Sequence, residues 1–236
     1  MFHRTTVFTA LTLLITPLAA ADTTTHDPET LFAAALADAD RASLYSFTYD
    51  IADVTPSGNV VANFDPRRPA ASQWQLKSPA SAVALKGAQK LAWSQMTGEE
   101  KPDQVLVLTQ AIGTLNTPTL ISQDATTAEF QAKLDALPTF GPKRTIMTAY
   151  LVSTVTVQKS PPRILSITSK NASPFSFGFM LGVNSAEETV IMQYLPEIDA
   201  SVIKNLSLSL QGSVLINTLV PDEQMTSANV SVASTP

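Results

Sequence analysis

The chain has no cysteine, only two histidines and only eight glycines among its 236 residues. Without cysteine there can be no disulfide, thiolate nucleophile, redox CxxC pair or acylated lipoprotein cysteine, so stability has to come from a hydrophobic core. The histidines are His3, inside an apolar leader, and His26, in the tail that follows it. A Ser-His-Asp triad or a His-based metal site therefore lacks its central residue. No Gly-rich phosphate loop or dinucleotide fingerprint follows any strand-like segment. We accordingly assign no catalytic residue, no metal ligand and no cofactor, and expect a protein that is not an enzyme. Basic residues number 15 against 20 acidic ones, a net charge of −5 without any basic cluster. That balance argues against nucleic acid or an anionic membrane surface as the partner.

No stretch reaches the roughly 20 consecutive apolar residues of a membrane-spanning helix. The start, MFHRTTVFTALTLLITPLAAADT, combines His3 and Arg4 with an apolar run from Val7 to Leu18 and the small residues Ala19 and Ala21. Residues 1–21 read as a secretory signal peptide cut before Asp22, and removing Arg4 with it lowers the net charge from −5 to −6. The expected mature protein is a single exported domain, residues 22–236, soluble in a bacterial periplasm. In a eukaryotic host Asn171, Asn205 and Asn229 would begin glycosylation triplets; the bacterial reading gives them no special meaning.

The most informative stretch is LYSFTYDIADV, beginning at Leu44. Tyr45, Phe47, Tyr49 and Ile51 alternate with Ser46, Thr48, Asp50 and Ala52, and a period of two sends the two sets to opposite faces of a strand. Eleven such residues span roughly 36 Å, which implies a broad, curved antiparallel sheet. Upstream, Asp27 can cap a helix with Pro28 in its first turn, Leu31, Ala34, Ala35 and Leu36 on its apolar stripe, and Asp38, Asp40 and Arg41 towards solvent. Gly58 in TPSGN turns the chain into VVANF, and the prolines after Asp65 and Arg68 interrupt pairing until QWQL.

Residues 81–96 fit either a helix or a hairpin, and the spacing of Leu85, Ala88, Leu91 and Ala92 favours the helix. DQVLVLTQAIG reads as a strand, 114–123 as irregular around Pro118, and TTAEFQAKLDAL as an amphipathic helix burying Phe130, Leu134 and Leu137. Six strand-like segments follow, from RTIMTAYLVSTVTVQ to SANVSVA. The expected fold class is α+β, mainly β: a strongly curved antiparallel sheet, an incomplete barrel, covered by two or three helices.

Adjacent acids occur at Glu99-Glu100, Glu187-Glu188 and Asp222-Glu223, and we read them as solvated charges near turns, since neighbouring residues of a strand point to opposite faces. The apolar residues are the stronger candidates. For Tyr45, Phe47, Tyr49 and Trp74, with Phe175, Phe177, Phe179 and Met192, the plain reading is core and the functional one is the flexible lining of a hydrophobic cavity for a ligand.

The segment RPAASQWQLKSP resembles a motif of the periplasmic lipoprotein carriers of the LolA and LolB type, where an Arg-Pro step is followed by a tryptophan and a further proline. Here these are Arg68, Pro69, Trp74 and Pro79, with the turn glycine Gly58 upstream. The order of leader, helix, long aromatic strand, turn, Arg-Pro and tryptophan is also similar, over roughly residues 29–95. The resemblance implies an incomplete barrel with helices as a lid, a hollow for lipoprotein acyl chains, and a lid contact at Arg68 that lets go when cargo enters. An inserted FDP, a blurred hairpin at KGAQKLAW and C-terminal strands without a shared motif set this chain apart, as an exported bacterial relative of the carriers. Three functions remain open: a carrier of a lipid or lipoprotein acyl chain, a module that binds a periplasmic protein through its sheet face or edge, and a carboxylate-dependent hydrolase.

Overall fold

The computed structural model describes residues 27–55, 58–97, 106–111, 113–135, 149–177, 181–214, 217–219 and 222–234. The expected leader, His26, the Glu99-Glu100 pair and Phe179 lie outside the described residues.

Helix α1, Pro28–Arg41, starts as its sequence requires: the Asp27 carboxylate accepts the Thr30 backbone N–H at 3.3 Å, proline fills the first turn, and Arg41 closes the last one. Its buried side is Leu31, Phe32, Ala35, Asp38 and Ala39, so the stripe is rotated from the expected one. Ala34 is exposed, and Asp38 turns inward because the sheet offers it a hydroxyl and a guanidinium.

Among the described residues twelve strands follow: β1 Ser46–Thr55, β2 Gly58–Phe64, β3 Trp74–Ser78, β4 Thr114–Gln123, β5 Thr127–Asp135, β6 Leu151–Lys159, β7 Pro162–Asn171, β8 Phe175–Phe177, β9 Leu181–Leu195, β10 Ala200–Val214, β11 Asn217–Leu219 and β12 Asp222–Ser234. They form one antiparallel sheet in the order β3-β2-β1-β12-β10-β9-β7-β6-β5-β4, with β11 added to β10 and β8 to β9. The sheet does not close. Bulges interrupt the register in β1, β4, β7 and β10 and bend the ladder, and α1 touches both β10 and the edge strand β4, which requires the sheet to curl around it. A second helix, α2 (Gly87–Thr97), packs on β1 and β2, and a single turn, α3 (Leu108–Ala111), packs on α1. The expected mainly-β architecture is therefore the observed one, and the helix over 81–96 is realised from Gly87 onward.

Alternation in β1 is as read from the sequence: Phe47, Tyr49 and Ile51 are each at most 1 % exposed on the inner face. Gly58 adopts φ +121°, a conformation side chains rarely take, and a Cβ there would stand 2.7 Å from the Gln89 amide nitrogen.

Three expectations are overturned. Within TTAEFQAKLDAL, Thr127–Asp135 is the strand β5, with Ala128, Phe130, Ala132 and Leu134 buried and Gln131 and Lys133 exposed; Leu137 lies outside the described residues. Its residues satisfy both periods, and pairing with β4 on one side and β6 on the other outweighs the helix propensity of Ala, Glu and Lys. At the β4–β5 turn the Thr126 and Thr127 backbone N–H groups each donate to Asp124 Oδ1 at 2.7 Å. Residues 114–123 are the edge strand β4; Pro118 is tolerated there because an edge needs fewer donors. DQVLVLTQAIG contributes a turn and α3 from Leu106 onward, its strand reading defeated by a helical turn over Leu108–Ala111.

Two apolar clusters share the inner face. One lies under α1 and joins Leu31, Phe32 and Ala35 to Phe130, Val155, Ile164, Ile167, Val190 and Ile203. Phe32 meets Phe130 edge-on, ring centroids 5.1 Å apart. Replacing Phe130 with alanine is expected to lower unfolding stability by about 3–5 kcal/mol in urea titration, because both the β5 contact and the α1 dock are lost. A loss under about 1 kcal/mol would show that α1 does not rest on β5.

Candidate functional site

The other cluster carries the aromatic residues. Antiparallel register places Tyr49 opposite Phe64 and Phe64 opposite Trp74, so one residue each from β1, β2 and β3 falls in a single row on the inner face. Ring centroids lie 5.1 Å apart for Tyr49–Phe64, 4.9 Å for Phe64–Trp74 and 5.8 Å for Tyr49–Trp74. Around them pack Phe47, Ile51, Leu106, Val107, Leu195, Ile198 and Val202, with half-buried Tyr45 and Trp93 at the margin. The indole Nε1 of Trp74 is buried here with no hydrogen-bond acceptor among the described residues.

The other expected lining residues that are described lie elsewhere on the sheet. Met192 belongs to the cluster under α1, and Phe175 to a third group with Leu151, Val183, Ala186 and Leu210, its ring stacked on Tyr150 at 4.5 Å. Phe177 pairs with Leu181 between β8 and β9. Four of the eight candidates, Tyr45, Phe47, Tyr49 and Trp74, thus come together.

Beside this cluster the β2–β3 loop is built on Asp65. Its carboxylate accepts Arg67 Nε at 2.8 Å, Arg67 Nη2 at 3.0 Å and the Arg67 backbone N–H at 3.1 Å, and Arg68 Nε stands 3.4 Å away. Arg68, the expected lid contact, is therefore paired with the inserted Asp65 in its own loop. The Arg67 guanidinium holds the Asp65 carboxyl down from 3.8 to about 2.

A second polar assembly, not foreseen from the sequence, fixes α1 to the far side of the sheet. Ser201 Oγ donates to Asp38 Oδ2 at 2.5 Å, and Arg163 Nε lies 3.7 Å from Asp38 Oδ1. The same guanidinium sits 3.3 Å from the centre of the Tyr194 ring, a cation–π contact, and 3.6 Å from Asp199. Arg41 of α1 also reaches Asp199 at 2.8 Å, and the Tyr194 hydroxyl donates to it at 2.8 Å. The Tyr194 bond is the main reason the Asp199 carboxyl titrates below the usual range, and it raises the phenol in turn.

For acid catalysis the geometry is poor. Glu187 and Glu188 lie mid-strand in β9, not near a turn as expected; Glu187 pairs with Lys170 at 3.1 Å on the outer face while Glu188 is buried. Among the described residues no group of three His, Cys, Asp or Glu side chains could hold a metal ion. A shallow groove of about 530 Å³ on the outer face of β5, β6 and β7 is lined by Gln131, Val152, Thr154, Thr168, Lys170, Asn171 and Ala172, none of them a candidate lining residue.

No protein-family model, curated protein or solved structure matches this chain.

Two outcomes follow from these contacts. Asp65, with its pKa depressed in the fold, contributes stability above about 3.8 that is lost as the pH falls through about 2; Arg67→Ala should return it towards 3.8. Carboxyl-carbon NMR titration reads this directly, and an Asp65 still at about 2 in that variant would exclude Arg67 as the cause. Arg163→Met leaves Asp38 buried without its cation and should cost about 3–5 kcal/mol in chemical unfolding. An unchanged midpoint would show that Ser201 alone keeps Asp38 inside.

Proposed function

We propose that this protein is an exported, non-catalytic carrier that holds an apolar chain, the acyl chain of a lipid or lipoprotein, against the inner face of its sheet. The observation that carries the reading is the continuity of that face. From Leu115 on the edge strand β4 to Trp74 on the edge strand β3, the inward positions are apolar with few exceptions, and helices cover them through side chains. A helix held to a sheet by packing can move aside without breaking a single ladder bond, so the interior can open while the sheet stays intact. Each apolar side chain left bare by that movement costs roughly 1.5–3 kcal/mol, which a bound acyl chain offsets.

The resemblance to the periplasmic lipoprotein carriers supports the same reading through the order of elements from α1 to β3. It also gives the setting, a bacterial periplasm entered by way of the leader at 1–21. Strand addition by a protein partner has less support. The β4 edge carries Pro118, a positive φ at Thr117 and two register shifts, and β3 is five residues long, the devices by which sheet edges resist pairing. A docking role for the outer face would rest on Leu165 and Ile191, exposed there by 37 % and 43 %.

Native mass spectrometry of the mature protein from its own host should show one acyl lipid retained. In solution a fluorescent fatty acid should bind and be displaced by the unlabelled acid. A bare spectrum together with no uptake of the probe overturns the carrier reading.

A further inference from the structure

Trp74 is 9 % exposed, its Nε1 is wholly buried, and that nitrogen has no hydrogen-bond acceptor among the described residues. Buried donors are almost always paired, so an orphan one inside an aromatic cluster needs a reason. Packing does not supply it, because phenylalanine would extend the Tyr49–Phe64 row without burying a polar atom. The position is also distinctive: Trp74 opens the edge strand β3, whose only ladder partner among the described residues is β2. It is the outermost ring of the row, and α2 passes over the neighbouring strands with Trp93 half-buried against the cluster.

We infer that the Trp74 indole N–H is the polar anchor of the binding site, donating a hydrogen bond to an ester or carboxyl oxygen of the acyl ligand. The inference rests on the carrier reading and narrows it. An indole nitrogen donates and cannot accept, so it selects a ligand oxygen over an ammonium group or a bare hydrocarbon. It also sets the ligand's direction, with its oxygen-bearing end at the β3 edge and its tail along the inner face towards α1.

The test compares wild type with Trp74→Phe, using methyl dodecanoate as the ester and diphenylhexatriene as an apolar probe without oxygen. The ester is uncharged, so Arg67 and Arg68 do not contribute. Measured against diphenylhexatriene, Trp74→Phe should bind methyl dodecanoate about tenfold more weakly than wild type does, the loss of one hydrogen bond to a neutral acceptor. Its fold, read by circular dichroism, should match that of wild type, so that a change in ester affinity reports on the indole. A second measurement needs no variant of Trp74: with Trp93→Phe leaving one indole, the N–H proton resonance should move downfield with the ester and not with diphenylhexatriene. Equal ester affinity in Trp74→Phe, or an indole resonance indifferent to the ester, overturns the anchor while leaving the carrier intact. A wild-type protein that binds neither probe overturns both.

Discussion

The fold depends on its last strand. β12 pairs with β1 from Ser46–Ser234 to Val54–Gln224 and, on its other side, with β10 from Asn205–Thr226 to Ser209–Asp222. Without it the hairpin of β1 and β2, together with β3, has no ladder to the strands from β4 to β10. The aromatic cluster, which joins Phe47, Tyr49 and Ile51 of β1 to Leu195 of β9 and Val202 of β10, would then lose the strand that holds its two sides together. Joining the N-terminal strand to the C-terminal one requires closing nearly the whole chain, so this pairing is entropically the most demanding in the molecule.

That joint is also where the sheet bends, and particular side chains make the bends tolerable. β10 shifts register between Ile203 and Asn205, and Ser227 of β12 donates to the Ile203 carbonyl at 2.9 Å and to the Lys204 carbonyl at 3.3 Å, engaging groups that the ladder leaves aside. Opposite, β1 shifts between Thr48 and Asp50 where Asn229 takes φ 52°, a conformation asparagine tolerates better than most residues. Its amide nitrogen holds Asp50 Oδ2 at 2.8 Å. Curvature is thus written in a serine and an asparagine, residues that a search for apolar alternation passes over.

This explains which parts of the fold are legible from residues alone. Local signals were readable wherever the partner was also local: Asp27-Pro28 at the start of α1, Gly58 between β1 and β2, and the greasy side of β1. β5 was not readable, because A-E-F-Q-A-K-L-D fits a strand and a helix alike and the decision belongs to β4 and β6. The burial of Asp38 escapes the sequence for the same reason. An aspartate on a helix is solvent-facing by default, and only the distant Ser201 and Arg163 make burial possible. Of the candidate site, the aromatic residues of β1 and β3 could be named from alternation and from the Arg-Pro-Trp resemblance. Phe64, which lies between Tyr49 and Trp74 in the row, was not named, since its place follows from register rather than type.

The two ends of the inner face differ in how easily they can part. To lift α1, Asp38 must leave Ser201 and Arg163, Arg41 must leave Asp199, and the Phe32–Phe130 contact must be exposed. The exposed Arg41–Asp199 pair contributes little, but stripping a buried carboxylate of its partners does not come cheaply. At the other end the wall is β3, five residues paired to β2 and entered through the loop of Asp65, Arg67 and Arg68. Arg67 keeps Asp65 satisfied by two side-chain bonds even when Arg68, more loosely placed at 3.4 Å, swings away. On the carrier reading we propose, α2 can therefore lift at the β3 end while α1 stays docked, which would place the least costly entrance beside Trp74 and the firmest wall beneath α1.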